Sequence, residues 1–247
     1  MGFFKTIKRK FYKVNDIFSK KLSISNENFI ITGCNSGIGF QLVKFLKDKQ
    51  NNILAFVNNN DENIKNLEDK NFNIIKCDFN KPENINNYSK QIENFKPSII
   101  INCAAIFGSN NQKIDDLLIE DFISVINVNV LAPVLLIQKS LKSNSLKQII
   151  NVTSEMGRIS NNKNGNYYLY RSSKSLLNAI TKNLSIDLKK NNINVLCIHP
   201  GDVKTKLNSA GLISAEMAAQ KIINICSKNS FSLNGKFIDA DLKNIKW

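Results

Sequence analysis

The sequence has one histidine, His199, and its five cysteines (Cys34, Cys77, Cys103, Cys197 and Cys226) are scattered without metal-ligand spacing. These absences exclude the usual zinc modules, and no metal site is expected. His199 follows an apolar run and precedes Pro200-Gly201 with no nucleophile pattern around it, so it reads as a turn residue. An odd number of thiols with no secretory signal points to reduced cysteines and a cytoplasmic protein. Cys77, Cys103 and Cys197 lie in apolar runs and read as small core residues. Acidic residues are also scarce: 20 Asp and Glu against 34 Lys and Arg give a net charge of +14. The lysines are dispersed among asparagines and isoleucines instead of lining up with stacking aromatics, so a nucleic-acid groove is not expected. No apolar run long enough to cross a bilayer, no solenoid repeat and no Pro/Gly/Ser-rich linker after residue 28 is visible. The 247 residues therefore read as one domain over 28–247 behind an extension over 1–27.

That extension is where basic charge concentrates. Phe4, Ile7, Phe11, Val14 and Phe18 fall at three- and four-residue steps, with Lys and Arg on the remaining faces and Asp16 the lone acid. Basic amphipathic helices of this kind lie on anionic membrane surfaces or dock on partners, so residues 1–25 could make peripheral membrane contact or cover apolar surface on this domain or a neighbouring subunit. Met1-Gly2-Phe3-Phe4-Lys5-Thr6 also fits the myristoylation pattern.

What is abundant is apolar patterning around one glycine-spaced turn. Phe29-Ile30-Ile31 reads as a buried strand, and Ile38, Leu42, Val43, Phe45 and Leu46 recur at helical spacing. Between them, Thr32-Gly33-Cys34-Asn35-Ser36-Gly37-Ile38-Gly39 places glycines where a strand hands over to a helix. Gly33 permits a sharp turn, Gly37 has no Cβ to hold backbone N–H groups away from a pyrophosphate, and Gly39 permits close helix–strand packing. The helix N-terminus adds unpaired donors and partial positive charge. This stretch resembles the cofactor turn of the short-chain dehydrogenase/reductase family.

Further strands are expected at Asn52–Val57, Phe72–Lys76, Ser98–Asn102, Lys147–Val152, Ile193–Ile198 and Asn234–Asp239. Beyond the second, an acid would bind the ribose diol of NAD and an Arg the 2′-phosphate of NADP. Asn58 is neither, so the choice between NADP and NAD stays open, with the missing acid leaning towards NADP. Asp121–Leu141 reads as a long apolar helix kinked at Pro133. Another amphipathic helix, running through Leu188, opens at Tyr167-Tyr168-Leu169-Tyr170-Arg171-Ser172-Ser173-Lys174, where Tyr170 and Lys174 project from one face a turn apart. A carbonyl that accepts hydride needs a proton, and an ammonium one turn from a phenol is expected to lower the phenol's pKa.

The resemblance runs from about Asn28 to Trp247 and is closest to the small carbonyl-reductase branch. It implies an α/β Rossmann-type fold, a doubly wound parallel sheet in three layers, and reduction of a carbonyl, or the reverse, with NADP or NAD. It makes Ser154, Tyr170 and Lys174 catalytic, with Asn129 holding a structural water. It puts the cofactor against Thr32, Gly33, Asn35, Ser36, Gly37, Ile38 and Gly39, then Asn58, Asp78 and Phe79. It continues along Asn102, whose side-chain amide would tie adjacent strands, and along Ala104 and Ala105 to Tyr170, Lys174, Pro200, Gly201, Val203 and Thr205. Ala105 stands where the family usually has glycine, and Asp202 where relatives often have Trp, which would put a charge at the mouth of the substrate cleft. Homodimers or homotetramers through the Asp121 and Tyr170 helices are also implied. Two other readings stay open: a reductase of sugar- or lipid-linked substrates at a membrane surface, and a dinucleotide-sensing regulatory protein.

Overall fold

The computed structural model describes residues 24–59, 62–109 and 112–247. The basic helix pattern of the extension, with its membrane or docking role, lies outside the described residues. In chain order the elements are β1 (Asn28–Thr32), α1 (Gly37–Lys47), β2 (Asn52–Val57), a short α2 (Glu62–Lys65), β3 (Phe72–Lys76), α3 (Ser89–Phe95) and β4 (Ile99–Asn102). Then follow α4 (Ile119–Ile126), α5 (Ala132–Ser140), β5 (Gln148–Val152), α6 (Tyr168–Asp187), β6 (Asn194–His199), β7 (Val203–Lys204), β8 (Ile213–Ser214), α7 (Ala215–Lys228) and β9 (Phe237–Asp239).

Seven strands form one parallel sheet in the order β3-β2-β1-β4-β5-β6-β9. The chain winds outward from β1 to β3, then returns to the other side of β1 and winds outward again to β9. The reversal between β1 and β4 opens a crevice at the carboxyl ends of the strands. Both faces of the sheet are buried, which is why its strands are continuous apolar runs without alternation. Phe29 and Ile31 point into the core shared with α1 and α7, whereas Ile30 points into the core shared with α3 and α5. The three-layer doubly wound architecture expected from the sequence is present.

The long apolar helix departs from a simple Pro133 kink. Between α4 and α5 lies one π-helical turn, Asn127–Leu131, in which the Ala132 N–H donates to the Asn127 carbonyl. Pro133 then occupies the position whose N–H would serve the Asn129 carbonyl in α-helical register, and proline has none to give. The whole helical stretch, 119–143, is also long and apolar enough to cross a membrane, a length that Asn127, Asn129 and Gln138 obscure in the sequence. Here it forms part of a layer: Val128, Ala132, Leu136 and Ile137 are buried against the sheet, and α4 packs on α6.

Candidate active site

The turn between β1 and α1 depends on absent side chains. Gly37 has φ +57°, and a Cβ there would meet the Thr205 methyl at 3.2 Å, while a Cβ on Gly39 would lie 2.3 Å from the Gly33 carbonyl oxygen. No residue but glycine lets α1 sit this close to the end of β1. Ser36, the N-cap of α1, makes no side-chain capping bond, so the first N–H groups of the helix face the crevice without an intrachain cap. Thr32 is buried, and its hydroxyl accepts the N–H groups of Cys103 (3.0 Å) and Ala104 (2.9 Å), stitching the end of β1 to the segment after β4.

A cavity of about 850 Å³ begins at this turn and runs along the carboxyl edge of the sheet. Gly33, Asn35, Ser36, Gly37, Ile38 and Gly39 form one end, with Asn58, Asp78 and Phe79 beside them. Ala104 and Ala105 line its middle, and Ser154, Tyr170 and Lys174 stand at the far end with Pro200, Gly201, Val203 and Thr205. Three residues expected in the site do not line the cavity: Thr32, Asn102 and Asn129. Asn102 donates through Nδ2 to Asn151 Oδ1 at 2.8 Å, tying β4 to β5 inside the sheet.

At the far end, chemistry rests on buried polar side chains. Lys174 is 2% exposed. Its Nζ donates to the Val152 carbonyl at 3.0 Å and lies 5.5 Å from the centroid of the Tyr170 ring. Burial lowers the lysine's pKa to about 8, against an opposing push from Cys103 and Cys197. Burial raises the Tyr170 phenol to about 12; a hydrogen bond with the Ser154 hydroxyl opposes that rise, and Cys103 adds to it. The net direction is opposite to the expectation from Y-x-x-x-K spacing. Desolvation of the phenol is the largest cause of that rise. Ser154 Oγ also accepts the Met156 N–H at 3.1 Å, which holds the turn that follows β5.

Asn129 is fully buried behind this group. Its Oδ1 accepts the Ile106 N–H at 2.8 Å, and its Nδ2 donates to the Ile106 carbonyl at 2.9 Å and to Ser173 Oγ at 3.0 Å. The side chain therefore pins the loop after β4.

Several cavity walls were not expected in the site from the sequence: Cys103, Phe107, Met156, Tyr167, His199 and Leu207. Their signal was positional, since each follows the carboxyl end of a strand or opens α6, where open α/β sheets bind ligands. His199, read as a turn residue, ends β6 and lines the cavity; burial lowers its pKa while Glu155, Asp239 and Asp202 push the other way. Asp202 reaches the cavity as expected, its carboxylate accepting Asn208 Nδ2 at 2.7 Å. Among the described residues no three His, Cys, Asp or Glu side chains stand close enough to hold a metal.

This geometry agrees with comparisons to known proteins. Residues 27–215 match the short chain dehydrogenase family. The chain is 25% identical over 153 residues to C-signal of Myxococcus xanthus, an alignment spanning 60% of this chain and 92% of the relative. It is 32% identical over 117 residues to NADPH-dependent aldehyde reductase 2, chloroplastic, of Arabidopsis thaliana, covering 46% of this chain and 42% of that protein. The carbonyl reductase Sniffer of D. melanogaster superposes with a TM-score of 0.82 at 27% identity, over 90% of this chain and 99% of the other. The chain belongs to the short-chain dehydrogenase family and is an oxidoreductase of that family.

Proposed function

We propose that the protein reduces a carbonyl compound to its alcohol, or runs the reverse reaction, with a nicotinamide dinucleotide held along the cavity and Tyr170 as the proton donor. The observation that carries this reading is the convergence of Ser154, Tyr170 and Lys174 at one end of a cavity whose other end is the glycine turn. The turn fits a pyrophosphate: its N–H groups are uncapped, and the space beside Gly37 is one a side chain would fill. Asn58, Asp78 and Phe79 would border the adenosine, and Pro200, Gly201, Val203 and Thr205 the nicotinamide end. When bound, the dinucleotide supplies the hydride.

The protein's own residues do the rest. Ser154 and Tyr170 hydrogen-bond the substrate oxygen, and Tyr170 delivers its proton as that oxygen becomes an alkoxide. A phenol held near pKa 12 keeps its proton until the alkoxide, a stronger base, is there to take it. Lys174, anchored by the Val152 carbonyl, supports the phenolate left behind, and the Asn129 carbonyl offers a water site for reprotonation.

Asn58 is exposed at the cavity edge and supplies neither a carboxylate for a ribose diol nor a cation for a 2′-phosphate. Lacking the acid that would repel that phosphate, the site is proposed to prefer NADPH modestly. All five cysteines are free thiols, which suits a cytoplasmic setting. Ile119, Phe122 and Ile123 on α4 and Tyr168 and Leu176 on α6 are exposed, an apolar surface suited to a second copy of the chain. A homodimer or homotetramer is proposed, and light scattering that finds only monomer would reject it.

The function is tested by a panel of aldehydes, ketones and quinones with NADH and NADPH. The expected result is reduction of at least one compound with consumption of the cofactor. Tight dinucleotide binding with no turnover across the panel would favour a sensing role instead.

A further inference from the structure

We propose that Gln112 is a positioning residue for Tyr170, an inference that rests on Tyr170 being the proton donor. Gln112 is 3% exposed, and its side-chain amide meets four backbone groups. Oε1 accepts the N–H groups of Leu169 at 3.1 Å and Tyr170 at 3.3 Å. Nε2 donates to the carbonyls of Phe107 at 2.8 Å and Ser109 at 3.1 Å. A primary amide offers two donors and two lone pairs, so all of its capacity is in use.

The two N–H groups it takes are the second and third of α6, the ones an N-cap side chain ordinarily satisfies. The residue at the N-cap, Tyr167, is in the left-handed region (φ +56°) and makes no side-chain cap. Gln112 therefore caps the catalytic helix from a loop 57 residues earlier in the chain. The same amide ties down Phe107, whose ring lies 5.0 Å from that of Tyr170 and 5.4 Å from that of Tyr167. The loop is close-packed there as well: a Cβ on Gly108 would approach Leu169 and Val125 side chains to 3.0 Å. Asn129 holds the other end of the loop at Ile106, so two buried amides clamp the segment that packs on the phenol. Losing one of them frees the first turn of α6, and with it the direction of the hydroxyl, while the glycine turn that would hold the cofactor is untouched.

The test compares Gln112→Leu, Gln112→Glu and Tyr170→Phe in the full chain, using NADPH and the panel carbonyl that the wild type reduces fastest. Gln112→Leu is expected to lower kcat by about tenfold or more, since small misplacement of a reacting group is costly. Its NADPH dissociation constant, read by nucleotide fluorescence, should stay within about twofold of wild type. Added to Tyr170→Phe, the same change should lower the residual rate by less than about twofold, because residues acting as one unit are not additive. A kcat equal to wild type, or an equal loss in the Tyr170→Phe background, would overturn the proposal. If thermal melts show that Gln112→Leu does not fold, Gln112→Glu decides. Its carboxyl keeps the acceptor for α6 and regains a donor for Phe107 only when protonated. Its rate relative to wild type should therefore rise as pH falls, and a flat ratio would reject the positioning role. Full activity in Tyr170→Phe would sink the functional reading itself, whereas an inactive Tyr170→Phe beside fully active Gln112 variants would sink only this inference.

Discussion

The two ends of the cavity are made in opposite ways. At the glycine turn the working groups are backbone N–H donors, and the site exists because Gly37 and Gly39 carry no Cβ. At the Tyr170 end the working groups are side chains buried well below the surface, held by contacts from segments distant in the chain: Lys174 by the Val152 backbone carbonyl, the loop at Ile106 by the Asn129 side chain, the start of α6 by the Gln112 side chain. The first end is local in sequence and tolerates no addition. The second is assembled from segments far apart, and it places a charge where folding alone would not put one. A buried ammonium costs stability, so the catalytic end is expected to trade stability for chemistry, while the turn does not.

The largest effect expected is on the catalytic end. Tyr170→Phe should lower turnover by about a thousandfold, within the range for removal of a positioned general acid, while leaving NADPH affinity nearly unchanged. A variant that loses turnover and affinity together would mean the two ends are not separable. Lys174→Met should come next, with turnover down about a hundredfold and stability changed in the opposite direction. The lysine's pKa is about 8 in the fold against an ordinary 10.5, so between those values the unfolded chain holds a proton that the folded chain has shed. Stability from this group therefore rises with pH across that window, and at pH 7 the full burial penalty is present. Lys174→Met should raise stability at pH 7 by up to about 3 kcal/mol in a urea titration, with the gain shrinking towards pH 10. The wild-type reduction rate should fall above about pH 8 as the ammonium is lost.

Smaller effects belong to the turn. Gly37→Val forces a branched side chain into a φ of +57° against the Thr205 methyl. It should weaken NADPH binding by about a hundredfold, and turnover at saturating cofactor should recover towards wild type. Persistent loss of kcat at saturation would show that the turn also shapes the catalytic end. Asn58→Asp should shift preference towards NADH by about tenfold, measured as the ratio of the two dissociation constants.

The same contrast explains what could be read from residues alone. Strand limits such as Asn52–Val57 and Phe72–Lys76 and the turn itself were legible because each depends on short-range pattern, apolar runs and glycine spacing, whereas the parallel doubly wound order came from the family resemblance those motifs carry. Tyr170 and Lys174 were legible as a pair one turn apart. Their protonation was not, because the sign of the Tyr170 shift depends on how deeply α6 is buried, which no local pattern reveals. Gln112 was invisible for a related reason: its partners Leu169 and Tyr170 are distant in the chain, and a lone glutamine in a polar loop carries no periodic signal. Asn102 ties β4 to β5 through its side-chain amide as expected, whereas the Thr32 hydroxyl joins the end of β1 to the segment after β4 instead of facing the cavity.

A crystal structure with NADP bound would test the joining of these two ends most directly. The pyrophosphate is expected on the N–H groups at the start of α1 and the nicotinamide ring beside the Tyr170 hydroxyl, with Ser154 and Lys174 around it. A dinucleotide lodged elsewhere, or a nicotinamide ring turned away from Tyr170 into solvent, would contradict the account.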